Sequence, residues 1–339
     1  MPSSSLSIED DSDLPDCLNT PLKRASWAMK LLNSQSPSIT AVSTRPPDTD
    51  GSYSRTVIVR LSTNEEVVIQ FRLGPLDLSP SILAREKLGA LVPEIKHLHN
   101  DTLAAEGIWT YSLSCIEGMT WEAAEQSIPN FSRIPLLRSL GNILAKGFVR
   151  ATSESAIEGV RRHLERIIAA EDPQIAEFRE QAIAFLGQLD DLGTLPLFIA
   201  HNDLHESNIM VGEDLQITGL VDWGASRPLP FGMGFARVHM LTGEYNDGIF
   251  CVLDDFEEAE NWQGIWEGLS KEMASFLQTK LAVVTAAMAI GTLLETFFVE
   301  DDGSFGAYNP VVARSLKRLL SYQVPDHRRV GESPYLEDT

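Results

Sequence analysis

The feature that most constrains this chain is a short non-helical block set inside a long helical stretch. Phe198-Ile199-Ala200 is an apolar run leading into His201-Asn202-Asp203-Leu204-His205-Glu206-Ser207-Asn208. Ile209-Met210-Val211 follow, Gly212-Glu213-Asp214 supply a turn, and Leu215 to Val221 returns to Asp222. Apolar, β-branched runs on either side of a Gly-Asp turn predict a loop followed by a β-hairpin. Thirteen residues separate Asn208 from Asp222 and fold back on themselves, so both ends of the hairpin are expected side by side.

Helical periodicity surrounds this block at Ile134 to Thr152, Glu158 to Ala170, Gln174 to Leu189, Asp255 to Leu269, Lys271 to Phe297 (with an interruption) and Pro310 to Tyr322. The first third differs. Ser38 to Val42, Ser54 to Leu61 and Val67 to Arg72 read as strands of an antiparallel meander, with Ser62 to Glu65 turning between the last two. Ser79 as N-cap and Pro80 at the first helical position open a helix ending near Pro93. Trp109 to Ile116 returns to strand, and Glu117-Gly118 breaks it. Segregation of strands from helices predicts an α+β fold with a small antiparallel-sheet lobe and a larger, mainly helical one. The expected boundaries are a mobile, acidic, Ser-rich tail (1–20), the first lobe (21–113), a hinge (114–118), the helical lobe (119–325) and a second tail (326–339).

Charge narrows the partners. The 339 residues carry 27 Lys+Arg against 48 Asp+Glu, a net charge of −21 that repels nucleic-acid phosphates and anionic membrane surfaces. A small-molecule partner is expected instead. Cys17, Cys115 and Cys251 are odd in number and far apart, which excludes a disulfide framework or a CxxC metal site and suits a reducing, cytoplasmic compartment. The amino terminus has no basic region followed by an apolar one, so no secretory signal is expected there. Leu281 to Val299 approaches the length of a bilayer span, but Glu295, three Thr and a high Ala content make it read as a core helix.

The loop block carries the chemistry. A hard divalent cation such as Mg²⁺ takes a few carboxylate or amide oxygens beside phosphate oxygens and water, which Asn208 and Asp222 can offer together. Asp203 lies on the same loop, where a carboxylate can accept a hydrogen bond from a substrate hydroxyl and orient it for attack on phosphorus. His201, behind Asp203 in the turn, joins it as a catalytic candidate, read as bracing the loop rather than as the base. His205 reads as structural or solvent-facing.

The run His201 to Asn208, followed by Leu220-Val221-Asp222-Trp223-Gly224, resembles the HxDxxxxN and Asp-Trp signature of the aminoglycoside phosphotransferase and choline kinase group, a branch of the protein-kinase-like fold. The resemblance extends from about Ser38 to Tyr322, and Pro230-Phe231-Gly232-Met233-Gly234 is similar to members common in fungi. It implies ATP and Mg²⁺ as cofactors, transfer of the γ-phosphoryl group to a hydroxyl of a metabolite, Asp203 as catalytic base, and Asn208 and Asp222 as metal ligands. It also implies that Ser114 to Ile116 form the hinge whose backbone meets adenine. Cys115 within it reads as a neutral packing residue.

The first lobe departs from the family pattern. Such kinases hold the nucleotide phosphates with a strand Lys paired to a helix Glu; here Gln70 stands in the Lys register, Arg72 shares its face, and Glu86 is the candidate partner on the following helix. The phosphate-covering loop is reduced to Gly51, Ser52 and Ser54 as candidate donors. Two alternatives therefore stay open: a diverged kinase-like protein that binds nucleotide or metabolite without transfer, and one that activates a substrate with ATP for condensation, cyclisation or dehydration. The acidic run Asp254 to Glu260, with Trp262 and Trp266 on one helix face, suits an amine-bearing substrate, or else is a solvated face over core tryptophans. Arg227, Arg237 and His239 are weaker candidates for the same pocket.

Overall fold

Alternating apolar residues zip the first third into one antiparallel sheet. In the computed structural model, which describes residues 7–35, 40–47, 51–129, 131–235, 238, 241, 244–246, 249–251, 255–299, 304–306 and 310–325, the chain divides into two units, Met1–Arg85 with Ala90–Ile116, and Glu86–Gly89 with Glu117–Thr339. The first unit holds β1 (Ala41–Arg45), β2 (Arg55–Leu61), β3 (Glu66–Arg72), β4 (Ile95–His97) and β5 (Trp109–Ser114) in the order β1-β2-β3-β5-β4. The expected meander is its first three strands. Val57, Val59, Ile69 and Phe71 share one buried face, packed with Ala28 and Leu31 of helix α1 (Pro21–Gln35). Ile69 and Phe71 are fully buried, and each contributes about 1.5–3 kcal/mol of hydrophobic stabilisation. By the two-residue period, Val68, Gln70 and Arg72 lie on the other face.

The expected mobile tail is corrected over its described part. Ile8, Leu14 and Leu18 are buried in the same core as the sheet, because apolar residues recur within the acidic stretch. Asp11 anchors the segment through Arg24 at 2.9 Å and Arg55 at 3.1 Å. Helix α2 (Ser79–Leu88) begins at Ser79 rather than being capped by it, since the Asp77 carboxylate accepts the Ser79 N–H at 2.9 Å. A short helix α3 (Asp101–Ala105) lies between β4 and β5.

The second unit is mainly helical: α4 (Trp121–Ser127), α5 (Arg133–Lys146), α6 (Glu154–Ala169), α7 (Pro173–Ala176), α8 (Arg179–Leu186), α9 (Leu189–Gly193), α10 (Asp255–Gly268), α11 (Lys271–Thr279), α12 (Leu281–Thr296) and α13 (Pro310–Leu320). Its short strands are β6 (Met119–Thr120), β7 (Phe148–Arg150), β8 (Leu197–Ala200), β9 (Ile209–Val211), β10 (Ile217–Leu220), β11 (Arg227–Pro230), β12 (Glu244–Asn246) and β13 (Ile249–Cys251). They pair antiparallel as β10-β9-β6, β11-β8-β7 and β12-β13. The helix expected over Ile134 to Thr152 stops at Lys146, where Gly147 closes it and Phe148–Arg150 pairs with β8 instead. The helix expected over Gln174 to Leu189 divides into three short ones.

The expected interruption between Lys271 and Phe297 is an 84° bend, and no described helix is by itself long and apolar enough to cross a membrane. Most of α12 is buried within its unit. Helices α5 and α10 approach so closely that a Cβ on Gly268 would lie 2.1 Å from the Arg138 carbonyl oxygen.

Candidate active site

Strand β8 is buried throughout and delivers the chain directly to His201, whose position leaves its imidazole buried. The His201 Nε2–H donates to the Val221 carbonyl at 2.7 Å, and the ring lies 4.6 Å, centre to centre, from that of Trp223. Burial lowers the pKa of His201 below its ordinary value. Asn202, with φ 63°, donates from Nδ2 to the Ala225 carbonyl at 2.9 Å. The Val221 N–H donates to the Asn208 carbonyl at 3.0 Å. These bonds zip the loop to the chain that leaves the hairpin, and bring Asn208 beside Asp222 through the backbone.

The oxygens of the site are sorted by the same network. Asn208 Nδ2 donates to the Asp203 main-chain oxygen at 2.8 Å and to Asp203 Oδ2 at 3.3 Å, so the nitrogen end of the amide faces Asp203 and its oxygen points elsewhere. Asp203 retains 23% side-chain exposure, with Oδ1 buried. Asp222 is exposed, sits at φ 61°, ψ 61°, and its carboxylate makes no hydrogen bond or ion pair among the described residues. That left-handed conformation costs about 1 kcal/mol for a residue other than glycine, and Asp is among the side chains that tolerate it best. An amide oxygen and an unengaged carboxylate fit a hard cation that also takes phosphate oxygens. Among the described residues no group of three or more His, Cys, Asp or Glu forms a fuller metal cage.

His205 is the residue sequence reasoning set aside. It caps the turn Glu206–Asn208, and its Nε2 lies 3.6 Å from Asp203 Oδ1 and 3.1 Å from Asn208 Nδ2. Its spacing, two residues after Asp203 and three before Asn208 in a tight turn, was the available signal. Ser207 Oγ donates to Glu122 Oε2 of α4 at 2.9 Å, and burial raises the pKa of Glu206. Gly118, at φ 114°, brings the chain against the hairpin where a Cβ would lie 2.3 Å from the Val211 carbonyl oxygen.

In the first unit the candidates divide. Gly51 and Ser52 are exposed at the turn tip, but Ser54 is 6% exposed, which corrects its assignment as a phosphate donor: the turn rolls it inward. Arg55 donates to the carbonyls of Gly51 at 3.0 Å and Ser54 at 3.4 Å, and the Ile8 N–H donates to that of Ser52 at 2.7 Å. Gln70 is half-buried between Thr56 and Tyr111 in the sheet register, with Arg72 two residues on along the same face. Within the expected hinge, the Ser114 N–H donates to the Glu94 carbonyl at 2.9 Å. The Ile116 N–H donates to nothing among the described residues. Cys115 is half-buried, its Sγ 4.0 Å from Glu66 Oε2. Glu86 is exposed on α2 and is grouped with the second unit.

Trp262 and Trp266 are buried, and Trp262 Nε1 donates to the Tyr322 hydroxyl at 2.5 Å, so they are core residues and not walls of a cation pocket. Asp254, Arg237 and His239, and the side chains of Asp255 to Glu258, lie outside the described residues. Arg227 is exposed at the start of β11.

Asp203, Asn208 and Asp222 lie on one loop–hairpin of the second unit. The sequence model of the phosphotransferase enzyme family (APH) matches residues 83–263, more than half of the chain, and the chain belongs to that family. Among solved structures it is similar to a macrolide 2′-phosphotransferase type I, with 16% identity over 89% of this chain and 98% of the other at a TM-score of 0.52. It is likewise similar to a thermostable mutant of the aminoglycoside phosphotransferase APH(4)-Ia in ternary complex with AMP-PNP and hygromycin B, with 12% identity over 87% of this chain and 98% of the other at a TM-score of 0.52. At such identities these likenesses establish the two-lobed α+β, protein-kinase-like fold. No curated protein matches the sequence.

Proposed function

We propose that the chain transfers the γ-phosphoryl group of ATP, in the presence of Mg²⁺, to a hydroxyl of a small-molecule acceptor. The observation that carries this reading is the sorting of Asn208: its amide nitrogen is spent on Asp203, which leaves its amide oxygen as a ligand, while the Val221 N–H bond to the Asn208 carbonyl keeps its main chain next to that of Asp222, whose carboxylate is unengaged. Those two oxygens would hold Mg²⁺, which when bound offsets the negative charge of the phosphates. Asp203 accepts the hydroxyl proton at Oδ2, the oxygen that is not buried, and orients the acceptor for in-line attack. His201 keeps the loop in register from behind, and His205 sits where it steadies Asp203 Oδ1. The APH(4)-Ia complex holds AMP-PNP together with hygromycin B, which supports a pairing of nucleotide and small-molecule acceptor here.

Incubation with ATP, Mg²⁺ and a panel of hydroxylated amines and metabolites should release ADP only with an acceptor and leave a phosphoester. Asp203→Asn should lower kcat by about 10²–10⁴-fold, the range for loss of a positioned general base. Full turnover by that variant would overturn the assignment.

A second reading rests on Gln70, since β3 carries no Lys: the protein binds nucleotide without transferring phosphate. ATP·Mg²⁺ would then raise the Tm with no acceptor in the panel yielding ADP.

A further inference from the structure

The amino-terminal segment is bonded into the turn that carries Gly51 and Ser52. Arg55, buried at the start of β2, divides its guanidinium among four oxygens: Nε donates to Asp11 Oδ1 at 3.1 Å, Nη1 to the carbonyls of Gly51 at 3.0 Å and Ser54 at 3.4 Å, and Nη2 to that of Ile8 at 3.2 Å. The Ile8 N–H donates in return to the Ser52 carbonyl at 2.7 Å. Arg24, also buried, lies 2.9 Å from the same Asp11 oxygen, so one carboxylate serves two buried cations. The segment is stiffened from within as well, because Asp13 Oδ2 accepts the N–H groups of Glu9 at 2.7 Å and Asp10 at 3.1 Å. The carbonyls of Gly51, Ser52 and Ser54 are thereby spent on Arg55 and Ile8. By contrast, the Ser52 and Tyr53 N–H groups donate to nothing among the described residues, and Gly51 and Ser52 are exposed. A carbonyl oxygen repels phosphate and a peptide N–H attracts it, so spending the carbonyls leaves a turn that favours an anion.

We infer that residues 8–13 are a strap that sets the polarity of this turn, holding its carbonyls toward the segment so that its N–H groups meet the phosphates of a bound nucleotide. The inference rests on the reading that this turn covers those phosphates. Ile8 and Asp11 are positioning residues, the first acting through the Ser52 carbonyl and the second through Arg55. With one glycine in the turn, its conformation is fixed by bonds from outside rather than by its own sequence.

AMP-PNP with Mg²⁺ is the probe, titrated calorimetrically into the full chain and three variants at a temperature well below their Tm. Ile8→Pro removes the N–H that holds Ser52 and keeps both an apolar residue and the carbonyl that Arg55 uses. Asp11→Asn removes the charge that holds Arg55. Each should raise the Kd by about fivefold or more, roughly the worth of one hydrogen bond. Leu14→Ala thins the buried core under the same segment and leaves the strap's bonds to the turn in place, so it should lower the Tm while keeping the Kd within about twofold of the parent value. Should Asp11→Asn not fold, Ile8→Pro decides alone. An unchanged Kd in either strap variant that folds, or an equal rise in Leu14→Ala, would overturn the inference. Absence of binding by the parent chain would overturn it together with the nucleotide reading. No acceptor or turnover enters the titration, so a failure of phosphotransfer with nucleotide binding intact removes the transfer reading and leaves the strap to be judged by the Kd.

Discussion

The loop–hairpin of the second unit and the β2–β3 region of the first are both assigned to phosphate chemistry, yet they are held in different ways. In the second unit, bonds from His201, Asn202 and Val221 pin the main chain of the loop that carries Asp203, Asn208 and Asp222. In the first unit the turn is gripped through its carbonyls by Arg55 and Ile8, and β3 carries Gln70 and no Lys. The sheet survives this change because its stability resides on the other face, with Ile69 and Phe71. A period of two separates the residues that fold a strand from those that do its chemistry, so one set can change while the other stays.

The largest expected effect tests the second unit. Asp222→Asn should lower turnover by about 10²-fold or more and raise the Mg²⁺ concentration needed, since a charged ligand is lost, while the Tm barely moves because Asn also tolerates the left-handed conformation. Unchanged turnover at limiting Mg²⁺ would place the metal elsewhere.

Next in size is a pH dependence that should also originate in the second unit. Burial holds His163, bonded through Nε2 to the Phe297 carbonyl at 2.7 Å, at a pKa of about 4 against the ordinary 6.5. The unfolded chain therefore takes up this proton first as the pH falls. The contribution is intact above about 6.5 and is lost progressively toward 4, by on the order of 3 kcal/mol in the limit. Urea unfolding at pH 7.5 and 5 should show the loss, and His163→Gln should flatten it; an equal slope in the variant would assign the effect to other groups.

The smallest effect probes the first unit. Gln70→Lys should raise kcat/KM for ATP by roughly tenfold, about 1.4 kcal/mol, through a charge restored near the phosphates. An unaltered kcat/KM would mean that this face of β3 does not meet the triphosphate, and that the contrast between the two regions is one of location rather than of charge.

Much of the molecule was legible in the residues themselves. The loop and hairpin at 198–222 follow from short β-branched runs around Gly212, and the β2–β3 meander from alternation at Val57, Val59, Ile69 and Phe71, because both are local patterns. Elements whose reason is distant were not legible: Phe148–Arg150 leaves its helix to pair with β8, and residues 8–18 order because Arg24 and Arg55 converge on Asp11. The site divides the same way. Sequence spacing alone brought Asp203, Asn208 and Asp222 to one loop–hairpin, since a two-stranded turn must return the chain to its start. Only the tertiary structure decided which end of the Asn208 amide is spent, where His205 lies, that Ser54 turns inward, and that His201 is buried with one nitrogen unmatched. Those outcomes depend on directions of single hydrogen bonds and on packing between segments far apart in the chain, which no spacing rule encodes.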